Sequence, residues 1–415
     1  MIRKTRLFTP GPTPLLPAAQ FAMAAADIHH RTPEFRALYT RVLAQLKEFV
    51  GTRNDVIILS SSGSGAMEAS VSNLTSPGDR VLVLTAGKFG ERWSGLAKAF
   101  GCAVDVVSKP YGETFDLDEI KTALKLETRC VFVQANETST GAQHDIQAIA
   151  QLLKDEHSEA LLIVDGITGL GTSTLDMDAW GIDVLIGGSQ KAVMIPPGLS
   201  YLAVSQRAWD RMEATYNPRY YFDLRKERKN AKNGESAYTP AVALIAALGA
   251  ALDWIAAQAD GDLAEGRKKL VDNAETIAAM TRAALEAMGF KLFTNSPGAA
   301  ATAVCAPEGV DSGVIVKEMK SRFGAIITNG QGEMKGQIFR IAHLGFFDYM
   351  DTIALIGALE QVIVKSVPQA GVKFGDGLIA AQKLYAERSP PAAADDPCLC
   401  GRAEACCSLI HSDAK

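Results

Sequence analysis

The sequence predicts an α/β protein: a mostly parallel sheet flanked by helices, followed by a smaller α+β C-terminal domain. Three observations predict it. Short β-rich runs alternate with helical patterns from about residue 55 to 205, and that alternation marks crossover units in a parallel sheet. The runs are almost continuously apolar, as expected of strands covered on both faces. After residue 240 the pattern changes to longer helices with isolated strands between them.

The elements follow in order. DVIILSSS (55–62) precedes GAMEASVSNLTSPGD, whose Met67, Val71 and Leu74 recur at helical spacing. RVLVLTAG (80–87) leads to a helix near 91–100, and AVDVVS, CVFVQAN and ALLIVDG repeat the theme with helices around 116–125 and 145–156. DVLIGG and LSYLAVS close the series; roughly a dozen residues join them, too few for a crossover, so one strand is expected to be antiparallel. TPAVALIAALGAALDWIAAQ reads as a buried helix, and 262–288 as an amphipathic one ending at Gly289. KLFTN, ATAVCAP and QIFRIAH read as strands interleaved with helices at 311–323 and 348–366. A helix at 375–388 and a SPPAAADDP linker lead to the cysteine-rich tail. The expected organisation is an N-terminal segment (1–20) packing near the active site and the small domain, a large domain (21–260), a small domain (261–368) and a flexible tail (369–415).

Composition excludes several classes of function. Hydrophobic content of 47% and charged content of 21% describe an ordinary globular chain. A net charge of −5 gives no pull toward nucleic acid or anionic membrane. The opening MIRKTRLFTPGP lacks the apolar core of a secretory signal, and no apolar run is long enough to span a bilayer. A soluble, cytoplasmic protein is expected, with neither nucleic acid nor membrane as partner. Cys102, Cys130 and Cys305 are scattered as reduced, packed thiols would be. Cys398, Cys400, Cys406 and Cys407 cluster in the tail, either as thiolates for zinc or as a reduced appendage that binds no metal; the second is the expectation.

In an open parallel sheet, ligands bind outside the carboxyl ends of the strands, so the residues there carry the argument. Ser62, Gly63 and Ser64 open a helix, where backbone N–H groups can receive a single phosphate; a serine-capped turn is the alternative. Phe89 stands at a strand-to-helix turn, able to stack on a flat ring or to cover the core. NETSTG (136–141) supplies amides and hydroxyls, or is simply a loop. Asp165 ends a buried strand, where it can hold a cationic nitrogen or cap a turn. Lys191 sits between two apolar runs; desolvation would keep its amine neutral and able to form a Schiff base, unless the side chain snorkels to the surface. Set side by side, these features describe one ligand, pyridoxal phosphate.

The chain resembles the class V pyridoxal-phosphate aminotransferases of fold type I, in particular the alanine–glyoxylate and serine–pyruvate group. The matching pieces are FTPGPTPLLP, HHRTPEF, SSGSGAMEAS, GKFGERW, NETSTG, LIVDGITGLG, GGSQKAVMIPPGLSYLAVS, YTPAVALIAAL and FRIAHLG, in family order from about residue 8 to 365. The resemblance implies a seven-stranded sheet, a homodimer with shared active sites, and a role for each matching residue. Lys191 would form the Schiff base and move the proton; Asp165 would pair with the pyridine nitrogen. Phe89 would stack on the ring and Thr138 would lie beside its oxygen. Ser62, Gly63, Ser64 and Gln190 would take the phosphate, helped by Thr239 from the neighbouring subunit. Arg340 would bind the substrate α-carboxylate, as its bidentate fork suits. Two positions depart from the pattern: Ser236 stands where some relatives carry a phosphate-binding tyrosine, and Gly166 where many have serine.

The implied reaction is ping-pong transamination between a small L-amino acid (alanine, serine or aspartate) and a 2-oxo acid such as glyoxylate or pyruvate. Two readings within the same cofactor class stay open: a lyase of cysteine desulfurase type and a phosphonate-substrate transaminase. The first needs a mobile cysteine, yet no cysteine lies between 306 and 397, and Gln190 rather than histidine precedes the lysine. A dinucleotide-dependent oxidoreductase would share the sheet, but residues 62–68 lack its glycine fingerprint.

Overall fold

The structure, a computed structural model, describes residues 2–389. Cys398, Cys400, Cys406 and Cys407 lie outside the described residues. A seven-stranded sheet runs in the order Asp55–Leu59, Ser200–Val204, Val184–Gly188, Leu161–Asp165, Thr128–Gln134, Arg80–Thr85, Ala103–Ser108. Ser200–Val204 is antiparallel to both neighbours, as its short connection to Val184–Gly188 demanded. The remaining pairings are parallel.

Successive residues of these strands feed two different cores, which is why the runs are apolar without interruption. Val131, Val133, Leu162 and Val164 pack in the layer that holds Phe35, Tyr39 and Leu248. Phe132, Ile163 and Ile186 belong to the opposite layer with Met67, Val71 and Trp93. Each such side chain contributes about 1.5–3 kcal/mol of burial, so a polar residue at any of them would unseat a helix. Met67, Val71 and Leu74 are all fully buried on one face of the helix Gly63–Leu74, as their spacing predicts. Ile146–Asp155 starts where the Asp145 carboxylate accepts the Ala148 N–H at 2.9 Å.

The second unit is an antiparallel sheet in the order Ala301–Cys305, Ile338–Ala342, Thr328–Asn329, packed by Leu263–Ala287, Ser312–Glu318 and Tyr349–Ser366. KLFTN, expected as a strand, makes only an isolated bridge from Leu292 to Val304. The chain turns away after Phe293 because the Thr294 hydroxyl donates to the Gly112 carbonyl of the large sheet's side at 2.6 Å.

The N-terminal segment touches both units. Arg6–Leu7 pairs in parallel with Ala325–Ile326. Farther along, the Thr13 N–H donates to the Gln190 carbonyl at 3.3 Å and the Leu16 N–H to the Met194 carbonyl at 2.9 Å. Among the described residues no helix is long and apolar enough to cross a membrane.

Candidate active site

The loop between Val184–Gly188 and Ser200–Val204 carries Gln190 and Lys191. It is closed by the Ser189 hydroxyl, which donates to the Pro196 carbonyl at 2.7 Å and accepts the Leu199 N–H at 3.2 Å. Lys191 is 8% exposed. Its amine donates to the Pro10 carbonyl, and its own carbonyl accepts from the Thr13 hydroxyl at 3.1 Å. Burial pulls the ammonium down to about 8; Asp165 opposes the shift and Arg340 adds to it. The lysine therefore does not snorkel.

Asp165 ends its strand 7% exposed. Burial raises its carboxyl to about 6, against the pull of the Ile167 N–H, which it accepts at 2.9 Å, and of Lys191. Ile167 in turn packs where Gly63 has no side chain: a Cβ there would lie 2.2 Å from the Ile167 Cδ1. Gly166 is equally confined, since a Cβ would meet the Leu185 Cδ1 at 2.7 Å.

Ser62 is the N-cap of Gly63–Leu74 but makes no side-chain cap bond; the Gly65 N–H donates to the Ser62 carbonyl at 2.8 Å, and the Gly63 and Ser64 amides have no partner among the described residues and can meet an anion. Ser64 accepts from the Arg92 guanidinium at 2.8 Å, and Arg92 also lies over the Phe89 ring, 4.9 Å from its centroid. Phe89 itself stands half-buried in the first turn of Lys88–Ala99. The buried Gln190 Oε1 has no hydrogen-bond partner among the described residues.

Thr138 is buried, with its hydroxyl 3.0 Å from that of Thr168. Its carbonyl accepts from the Arg340 Nη1 at 2.9 Å, while the Asn329 carbonyl accepts from Nε and Nη2 at 3.2 and 2.8 Å. Those three bonds leave two of the five guanidinium N–H donors unused. Arg340 is 3% exposed, and burial lowers it to about 10.

Thr239 is not part of this constellation. It is exposed, beside a small cavity lined by Tyr39, Ser60, Glu227 and Ser236. The Ser236 hydroxyl is engaged with the Tyr238 carbonyl at 2.5 Å.

Sequence reasoning passed over Gly11, Thr13, Arg92 and Glu137. Arg92 had a signal, three residues beyond Phe89 on the same helix face. Glu137 sits inside the NETSTG loop, where the amides and hydroxyls drew the attention.

A buried lysine and a buried carboxylate beyond the strand ends of the α/β sheet, with an arginine bearing spare donors in the middle of the small sheet's strand Ile338–Ala342, define an enzyme of amino-group chemistry. The chain belongs to the class V aminotransferases, a pyridoxal-phosphate-dependent family, whose model, described as Aminotransferase class-V, matches residues 18–333. It is 35% identical to an L-aspartate–glyoxylate aminotransferase of Paracoccus denitrificans, over 94% of this chain and 99% of that protein. It is 38% identical to a protein named soluble hydrogenase, small subunit, of a Synechococcus species, over 92% of this chain and 98% of the relative. The crystal structure of an aspartate aminotransferase of subgroup IV from Thermus thermophilus is similar with a TM-score of 0.80 and 35% identity, covering 87% of this chain and 99% of that one.

Proposed function

We propose that this aminotransferase moves the amino group of a small L-amino acid (alanine, serine or aspartate) to a 2-oxo acid such as glyoxylate or pyruvate, with Lys191 as the catalytic amine. The observation that carries the reading is the buried Lys191, its amine depressed to about 8 and within electrostatic reach of both Asp165 and Arg340.

The residues fit pyridoxal phosphate. The uncapped Gly63 and Ser64 amides suit the phosphate, and the Gln190 Oε1, unpartnered among the described residues, lies 3.3 Å from where a Gly188 Cβ would stand. Phe89 would cover the ring, Thr138 would lie beside its oxygen and Asp165 would hold its nitrogen. When bound, this cofactor withdraws electrons from the substrate Cα and so lets that carbon give up its proton.

The chain does the rest. Arg340 offers its two spare N–H donors to the α-carboxylate, which fixes the Cα–H bond relative to the ring. The Asp165 carboxylate would hold the ring nitrogen and favour its protonated form. The Lys191 Nζ would take the Cα proton and deliver it to the cofactor carbon that comes to bear the amino group, work suited to an amine whose pKa lies near neutrality. Pro10 and Thr13 close this space toward the N-terminal segment, which limits water there.

The hydrogenase name of one relative is not carried over, because the buried amine, carboxylate and arginine are the parts of amino-group transfer. We further propose a cytoplasmic homodimer in which the exposed Thr239 serves the neighbouring subunit's phosphate. Donor panels of alanine, serine and aspartate against glyoxylate, pyruvate and 2-oxoglutarate test the substrates. Lys191→Ala tests the amine: full turnover in that variant would sink the reading, and a loss of about 100-fold or more is expected.

A further inference from the structure

Glu137 is fully buried, yet no cation is paired with it among the described residues. Its carboxylate is instead surrounded by donors. Oε2 accepts the N–H groups of Phe89 and Gly90 at 3.1 and 3.0 Å, and Oε1 accepts the Ser139 N–H at 3.1 Å and the Ser139 hydroxyl at 2.5 Å. Two of these donors belong to the first turn of Lys88–Ala99 and two to its own loop, so one carboxylate joins two separate elements.

Space confirms how tightly they meet. A Cβ on Gly87 would stand 2.4 Å from the Glu137 Cδ and 2.7 Å from the Ser139 Oγ. The Lys88 N–H also donates to the Ser139 hydroxyl at 3.1 Å. Beyond the junction, one side carries Phe89 and the other Thr138, whose carbonyl holds Arg340.

We propose that Glu137 is a positioning residue for amino-group transfer: its carboxylate clamps the helix turn bearing Phe89 to the loop that bears Thr138 and, through Thr138, orients the Arg340 guanidinium. One side chain thus sets the cofactor-stacking ring and the substrate anchor together. This rests on the roles proposed above for Phe89 and Arg340. The carboxylate is suited to the task for three reasons. It can accept several N–H bonds at once. A negative group complements the positive end of a helix. Its charge also favours the charged form of the buried Arg340. Burial pushes its own carboxyl upward, while the four donors pull it back toward ionisation.

The test compares Glu137→Gln and Glu137→Ala with the wild-type holoenzyme. Cofactor affinity is read by titrating the visible absorbance, ring seating by visible circular dichroism, and the substrate anchor by KM and kcat at saturating cofactor. Geometry held by such outlying bonds is worth roughly ten-fold or more when lost. Glu137→Ala is therefore expected to weaken cofactor binding and to raise KM for the amino donor, each by about ten-fold, with an altered dichroic band. Glu137→Gln keeps an acceptor for Phe89 and Gly90 but turns an N–H₂ toward Ser139, so it should fall between Ala and wild type. Constants and spectrum within two-fold of wild type in both variants would overturn the proposal. So would a drop in melting temperature with those constants unchanged, or failure of both variants to fold, since either assigns Glu137 to stability alone. Lys191→Ala, run alongside, separates the two readings: if it stays active the proposed site is wrong, whereas if it is inactive and Glu137 variants are unaffected only the clamp is wrong.

Discussion

Gly11 leaves room for Lys191: a Cβ on Gly11 would stand 2.7 Å from the lysine Nζ, in a backbone whose φ is +116°. Both the space and the dihedral demand glycine. Gly11→Ala is expected to cost about 1–3 kcal/mol of stability from backbone strain. It should also displace the amine, so that kcat falls more than the melting temperature explains. Thermal melts paired with steady-state kinetics check this; wild-type kcat in a stable variant would contradict it.

Lys191 should capture cofactor with a characteristic pH dependence. Its ammonium is lowered to about 8 chiefly by burial, so the neutral, reactive amine accumulates as pH rises through that value rather than through the ordinary lysine range. Stopped-flow mixing of cofactor-free enzyme with pyridoxal phosphate should show capture rates with a midpoint near 8. Arg340→Gln removes a cation that disfavours the ammonium, and the midpoint should move upward.

Asp165 should leave a mark on stability when the cofactor is absent. Its carboxyl is raised from 3.8 to about 6 by burial, so the folded chain holds this proton more tightly than the unfolded one. The contribution is present in full below about 3.8 and lost as pH rises through about 6. Cofactor-free Asp165→Asn, which carries no charge, should be more stable than wild type near pH 7 by on the order of 2 kcal/mol. The two should converge below about pH 4. The same substitution should lower kcat of the holoenzyme by about 100-fold or more. Urea melts across pH and turnover assays supply both readouts.

Arg340→Lys should raise KM for the amino donor by roughly 10- to 100-fold, because the fork that meets a carboxylate with two donors becomes a point charge. Lysine also cannot reproduce the bonds to the Thr138 and Asn329 carbonyls. Initial rates over a range of donor concentration decide it; an unchanged KM would remove Arg340 from the substrate site.

The strand ends were legible because a buried parallel strand is a run of apolar residues and its first polar residue is conspicuous. Asp165 after LLIV is of that kind, and Lys191 is the first charged residue after VLIGG. Glu137 was not legible, since its meaning depends on Phe89 and Gly90 arriving from another helix to spend their N–H groups on it. Gly11 likewise looks like one more flexible residue in a Pro-rich start until Lys191 is placed against it. KLFTN misled for the opposite reason: its composition suits a strand, but the bond from Thr294 to the Gly112 carbonyl takes the chain elsewhere.

The pairing of Arg6–Leu7 with Ala325–Ile326 bears on the order of assembly during synthesis. The segment that carries Pro10 and Thr13, which wall the lysine, is made long before its strand partner. Joining such distant segments is slow to achieve by chance. Until residue 326 has emerged, the segment can sit on the lysine loop through Thr13 and Leu16 but lacks the strand pairing at Arg6 and Leu7. A nascent chain halted before that point would have this wall of the lysine site fastened on one side alone, and the second fastening comes when two segments far apart in the sequence have met.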